Sequence, residues 1–131
     1  MNIIRLHTSD LDRVKTLVKV LDFTNDINYL ERCLHDSDRV VLAAQEADGM
    51  ECGIALLNTK PSYPLFRRLN IPEIQDVNVA HNARGQGVGA ALIAAAEEVA
   101  HEKGASQVGI GVGLHAGFGV AQRLYVRLGY V

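Results

Sequence analysis

Tryptophan is absent from this chain, and 4 tyrosines with 3 phenylalanines bring aromatic residues to only 5%. That leaves little from which to build the stacking platform that holds single-stranded bases. An excess of one charge is lacking as well. Lys and Arg number 13 against 15 Asp and Glu, a net of −2, so there is no electrostatic footprint for nucleic acid. No apolar run reaches the ~20 residues that span a bilayer. The N-terminus passes from Met1 directly into a strand-like Asn2-Ile3-Ile4-Arg5, without a long apolar leader. These absences predict a soluble, cytoplasmic protein with neither nucleic acid nor membrane as partner.

Cysteine is scarce too. Cys33 and Cys52 are the only two, with no C-x-x-C spacing and no His/Cys cluster that would hold a metal. Both sit in apolar surroundings and read as small buried side chains. Proline occurs 3 times, at Pro61, Pro64 and Pro72, all within one segment. What remains is 131 residues, 48% hydrophobic and 21% charged, enough for one globular domain over residues 1–131 with a real core.

The most informative stretch runs from Glu73 to Gly104. Ile74, Val77 and Val79 supply the β-branched residues of a strand. Then comes Arg84-Gly85-Gln86-Gly87-Val88-Gly89, after which Val88, Leu92, Ala95, Ala96 and Val99 fall at helical spacing. His101 and Lys103 occupy the last turn, and Gly104 stops the helix. Glycines between strand and helix let a ligand approach the backbone. The amide groups of the first helical turn then face it, with the helix dipole favouring negative charge. The chemistry of this turn is phosphate binding.

Around it, Asn2 to His7 reads as a strand. Leu11, Val14, Leu17, Val18 and Leu21 form the apolar stripe of a first helix after the caps at Thr8-Ser9-Asp10. Asn25-Asp26 caps a second helix carrying Ile27, Leu30, Cys33 and Leu34. Asp26, Tyr29 and Glu31 there are either substrate contacts or a solvated helix face. Strands over Arg39–Gln45 and Met50–Leu57 flank Asp48-Gly49, a hairpin signal. Asn58 to Pro72 reads as a long loop, whose Tyr63, Phe66, Arg67 and Arg68 are either an acceptor surface or a solvated connection. Gln107 to Leu114 is a strand with glycines on alternate positions, leaving room for close approach. Val120 to Leu128 reads as a short helix with Ala121, Leu124 and Leu128 inward.

Arg84-x-x-Gly87-x-Gly89 after a strand resembles the acetyl-CoA signature of the GNAT superfamily of N-acetyltransferases. The run Ala121-Gln122-Arg123-Leu124-Tyr125-Val126-Arg127-Leu128-Gly129-Tyr130 is similar to that family's A-x-x-L-Y-x-x-x-G-[FY] segment. The two matches lie in the family's order and cover most of residues 73–131. The resemblance implies an α/β (α+β) fold: a mixed, mostly antiparallel sheet flanked by helices, its fourth and fifth strands splayed. It implies an N-acetyltransferase with acetyl-CoA as co-substrate and a small-molecule or peptide amine as acceptor. The amine attacks directly in a ternary complex, so positioning carries much of the acceleration.

By the same resemblance, backbone groups of Val77, Asn78 and Val79 pair with pantetheine. Arg84, Gly85, Gln86, Gly87, Val88 and Gly89 hold the pyrophosphate. Tyr125 takes the place of the family's general acid, and a phenol of pKa near 10 stays protonated at neutral pH. Glu73 resembles in position the glutamate base of some members. Regular alternation gives it the side-chain parity of Val77 and Val79, with Asp76 opposite. His81 and His115 have suitable intrinsic pKa values but sit on loops.

Two departures stand out. Phe118 occupies the place of a cofactor-contacting asparagine, and the chain ends at Val131 where a sixth strand should begin. Missing C-terminal strands would mean a truncated domain, or an open edge available to a second copy in a homodimer. Two other readings stay open. Gly85-x-Gly87-x-x-Ala90 passes as a relaxed dinucleotide fingerprint, though positions 108–114 hold no acidic residue for a ribose. The same fold can also serve as a non-catalytic acyl-CoA-binding module.

Overall fold

The computed structural model describes the backbone of residues 1–21, 27–113 and 121–128, and the side chains of 1–21 and 27–110. Asn25, Asp26, His115 and Phe118 lie outside the described residues. The order is β1 (Asn2–Leu6), α1 (Leu11–Leu21), α2 (Ile27–His35), β2 (Arg39–Gln45), β3 (Glu51–Asn58), α3 (Pro64–Arg68), β4 (Glu73–Val79), α4 (Val88–Glu102), β5 (Gln107–Gly113) and β6 (Ala121–Leu128). The strands form one sheet in chain order, antiparallel throughout except for the parallel β4–β5 pair.

The core lies where the sequence periodicity puts it. Val14, Leu17 and Leu21 of α1 and Leu30 and Cys33 of α2 are buried with Val41, Ile54, Leu56 and Leu57 of the central strands. On one face of the sheet, Val88 and Leu92 of α4 sit over Gly53, where a Cβ would come within 3.0 Å of both side chains. The missing side chain lets α4 lie close to β3. Arg13 of α1 adds a polar tie to β3, donating from Nη2 to the buried Glu51 carboxylate at 2.7 Å. Gln45 donates to the same oxygen at 2.9 Å. The β2–β3 turn closes as expected, with Gly49 at φ 90.

Three expectations need correction. The segment Asn58–Pro72 is not merely a solvated loop. It carries α3, and it buries Pro61 and Phe66 completely, with Tyr63 edge-on to the Phe66 ring at 5.0 Å. Leu65, Arg67 and Arg68 of α3 are exposed.

The helix expected over 120–128 is a strand instead. β6 pairs antiparallel with β5 from Gln107↔Leu128 to Gly113↔Ala121. Without β6 the outer edge of β5 would present unpaired N–H and C=O groups, and a strand satisfies them where a helix cannot. The same residues support both readings, since Leu124, Val126 and Leu128 also alternate with Arg123, Tyr125 and Arg127.

The third correction is to the faces of β4. Leu56 opposes Gln75, but Ile54 opposes Asn78, so Ala55 faces two residues, Asp76 and Val77. This β-bulge reverses the alternation. Opposed residues share a face, so Glu73 groups with Gln75 and Asn78, while Ile74 groups with Val79. Glu73 therefore does not share a face with Val79. Asp76 adopts φ 55, a left-handed conformation that aspartate tolerates better than most residues.

Candidate active site

β4 and β5 pair only at Glu73↔Gly109 and Ile74↔Ile110. A bond from the Gly109 amide to the Pro72 carbonyl, 2.8 Å, fastens the same end. Beyond it β4 runs on to Val79 and β5 to Gly113 with no further pairing between them. The last pair, at Ile74, lies two residues before the Asp76–Val77 bulge. The expected splay of the fourth and fifth strands is thus present, opening towards the end of β4 that carries Val77, Asn78 and Val79. These three are half-buried, and their backbone lines one side of the gap.

Directly after β4, a short 3-10 turn over His81–Ala83 redirects the chain into the glycine-rich segment. The Ala80 amide bonds the Cys52 carbonyl at 2.8 Å, anchoring the exit from the sheet. The Arg84 guanidinium folds back and donates from Nε to the Val79 carbonyl at 3.2 Å. This contact ties the arginine of the motif to the last residue of β4. Gly85 and Gly87 have φ of 78 and 83, in the region that favours glycine. At neither would a Cβ meet another atom within 4 Å, so the turn opens outward. Gly89 differs: it is helical, and a Cβ there would sit 3.7 Å from the Val79 side chain, an ordinary contact.

α4 starts at Val88, and among the described residues no side chain caps its N-terminus. Its first amides are left to a ligand or solvent. Arg84, Gly85, Gln86 and Gly87 are exposed, Val88 is buried and Gly89 half-buried. A pocket of about 300 Å³ opens beside the turn, between Gln86 and Val88 and the Met1, Glu46 and Ala47 side. An open, uncapped, positively flanked helix start fits a pyrophosphate.

The two catalytic expectations are placed differently. Glu73 is 4% exposed and lies at the closed end of the gap, with Oε1 accepting from the Gln75 amide at 2.6 Å. Roughly 20 Å of strand separates it from Val79. Tyr125 belongs to β6, and its side chain lies outside the described residues.

Sequence reasoning missed one cluster. Tyr29 of α2 donates to Asp76 Oδ2 at 2.7 Å, at the bulge itself. Arg39 Nη1 lies 3.4 Å from the same phenol oxygen and 3.3 Å from Cys33 Sγ. Its guanidinium carbon is 5.9 Å from the Tyr29 ring centroid, and Nε pairs with Asp36 at 3.4 Å. Burial, and then the hydrogen bond and negative charge of Asp76, drive the Tyr29 pKa well above the ordinary phenol range. The sequence offers Tyr29 as a substrate contact or as part of a solvated helix face, and no motif links it to Asp76. Among the described residues no three His, Cys, Asp or Glu side chains come together as a metal site.

A sheet that parts between its fourth and fifth strands, with a glycine-rich turn and a helix start at the end of the fourth, is the arrangement of an acetyltransferase fold. The chain belongs to the GNAT acetyltransferases: the acetyltransferase (GNAT) domain family matches residues 36–131. No curated protein matches the chain in sequence. Solved structures do. One is the aminoglycoside acetyltransferase meta-AAC0020 from an uncultured soil metagenomic sample, in complex with sisomicin. It is 23% identical, with 86% of this chain and 77% of that chain covered and a TM-score of 0.67. Another is the ribosomal-protein-alanine N-acetyltransferase from Brucella melitensis biovar Abortus 2308, at 25% identity, 84% and 78% coverage and a TM-score of 0.65. An aminoglycoside 6'-N-acetyltransferase complexed with coenzyme A superposes with a TM-score of 0.68 at 15% identity, covering 89% of this chain and 65% of that one.

Proposed function

We propose that this protein transfers an acetyl group from acetyl-CoA to a primary amine of a small-molecule or peptide acceptor, by direct attack in a ternary complex. The observation that carries the proposal is the open turn at Arg84–Gly89 and the uncapped start of α4, placed where β4 leaves β5. Family membership and a structural relative complexed with coenzyme A support it. Acetyl-CoA brings the activated thioester, and the chain supplies the rest.

Val77, Asn78 and Val79 offer strand backbone to the amides of the pantetheine arm. The amides at Gly85 to Gly89, with Arg84 beside them, hold the pyrophosphate. The Val79 N–H is the proposed fixed dipole for charge developing on the carbonyl oxygen. Glu73 is the proposed proton acceptor for the amine on the family resemblance alone; with roughly 20 Å of strand between it and Val79, it takes the proton only through a chain of waters along the gap. Tyr125 is the proposed proton donor to the departing sulfur. That assignment rests on its motif alone. A second copy of the chain is the proposed partner of the outer β6 edge, and a cytoplasmic location is proposed on composition. Among the described residues no helix is long and apolar enough to cross a membrane.

Calorimetric titration with acetyl-CoA tests the reading. Wild type should bind saturably, and Arg84→Glu should abolish binding while leaving the thermal midpoint nearly unchanged. A folded wild type that shows no binding would overturn it.

A further inference from the structure

The bulge in β4 lies two residues beyond the last β4–β5 pair, and it is also where Tyr29 of α2 reaches the strand. Asp76 opposes Ala55 together with Val77, so an extra residue is accommodated there. It does so at φ 55, a left-handed conformation uncommon outside glycine, though aspartate adopts it more readily than most residues. At Asp76, Oδ2 accepts a 2.7 Å hydrogen bond from the Tyr29 hydroxyl. Tyr29 is held in turn by Arg39, whose guanidinium lies over the ring edge and bonds both Tyr29 and Cys33. Asp36 fixes Arg39 from the other side at 3.4 Å. The chain of contacts runs from the α2–β2 junction to the first unpaired residues of β4.

We propose that Tyr29 and Asp76 are positioning residues: their hydrogen bond latches the bulge and thereby sets the backbone of Val77, Asn78 and Val79 for coenzyme A. The inference rests on the acetyltransferase reading for its ligand, but not for the latch itself. Its energetic logic is that of a hydrogen bond to a charged acceptor, stronger than one between neutral groups. Releasing it takes away the side-chain bond that fixes Asp76 in its left-handed conformation. The neighbouring residues then lose the fixed register that a preorganised binding backbone requires.

Two substitutions separate the latch from general packing. Tyr29→Phe removes only the donor oxygen and keeps the ring under Arg39. Asp76→Asn keeps an acceptor oxygen and a residue type at home in the left-handed region. Coenzyme A is titrated calorimetrically into wild type and both variants, and amide hydrogen exchange over residues 74–80 is followed on the free proteins. Tyr29→Phe should weaken binding about tenfold, the scale of one charge-assisted hydrogen bond. It should also speed exchange at Val77–Val79 while leaving Leu56 and Leu57 protected. Asp76→Asn should stay within about threefold of wild type in affinity, since neutral hydrogen bonds retain part of the charged one, with exchange close to wild type. If Tyr29→Phe leaves both affinity and exchange unchanged, the latch is overturned. A wild type that fails to bind coenzyme A overturns the functional reading, and the exchange comparison still decides the latch. An Asp76→Asn protein as impaired as Tyr29→Phe in both readouts also overturns it, because the charge would then matter apart from the bond.

Discussion

The ring of Phe66 lies against the α-carbon of Gly109, filling the volume that a side chain there would need. Gly109 is the residue opposite Glu73 in the short β4–β5 ladder. Its lack of a side chain therefore serves the packing of α3 against the closed end of the gap, where the sequence pattern suggested room for the cofactor arm. Gly109→Ala should destabilise by about 1–3 kcal/mol through overpacking. Phe66→Ala alone should cost about 3–5 kcal/mol as a cavity. In the double variant the alanine at 109 gains space, so the two losses should fall short of their sum by about 0.5–3 kcal/mol. Urea denaturation of the four proteins measures the cycle. Simple additivity would mean that the ring can move aside freely.

The glycine-rich turn makes a graded prediction, since its three glycines are not equivalent. Gly85→Ala and Gly87→Ala each place a Cβ in a left-handed residue, and each should cost about 1–2 kcal/mol. Neither meets a steric obstacle in the fold, so the backbone conformation alone sets the loss. Gly89→Ala should leave stability level or slightly raised, because alanine gains about 1 kcal/mol over glycine within a helix and the nearest neighbour is Val79 at 3.7 Å. Thermal melts rank the three. A Gly89→Ala protein less stable than Gly85→Ala would contradict this account of the turn.

Alkaline pH should weaken the fold through two acids, the buried Cys52 and the half-buried Tyr29. Burial first, then the charges of Glu46 and Glu51, push the Cys52 thiol above its ordinary value of 9.0. Tyr29 is shifted upward from 10.0 by burial and Asp76. In both, the folded-state pKa exceeds the unfolded one, so the folded protein binds more protons over the window between them. Their contribution to stability is fully present below about pH 9 and is lost as pH rises through the folded values. Denaturation midpoints should hold steady from pH 7 to about 8.5 and fall beyond that. Cys52→Ala should flatten the early part of the fall. A midpoint that rises above pH 9 would reverse the assignment.

What the sequence made legible were features written locally. The apolar stripes of α1, α2 and α4 state their own periods, and Asp48-Gly49 announces its hairpin. The turn at Arg84–Gly89 is legible because left-handed residues require glycine and the glycines are there. The bulge was not, because Asp76 and Val77 look like any strand residues and regular alternation assigns Glu73 to the wrong face. Only the pairing with Ala55, a partner distant in sequence, reveals the extra residue. Phe66 was ambiguous for the same reason: its burial depends on Gly109, over 40 positions away. Residues 121–128 satisfy helical and strand periods together, and the unpaired edge of β5 decides between them. Tyr29 and Asp76 carry no motif, so their meeting is visible only in three dimensions.

That last ambiguity bears on the proposed chemistry. Tyr125 takes the donor role from the motif of its segment, whose residues read as a helix in the sequence, yet here it lies on β6. The motif match can survive a change of backbone form only if the phenol still reaches the sulfur. Tyr125→Phe isolates that question, since it removes one hydroxyl and keeps the ring. If the donor role holds, turnover should fall about 10²–10⁴-fold, the usual scale of general acid catalysis. Coenzyme A affinity by calorimetry should stay within about twofold, because an interaction confined to the transition state does not contribute to ground-state binding. Thiol release from acetyl-CoA across a panel of peptide and aminoglycoside amines gives the rate. Unchanged turnover at saturating substrate would remove Tyr125 from the mechanism, and the proton would then have to reach the thiolate from solvent.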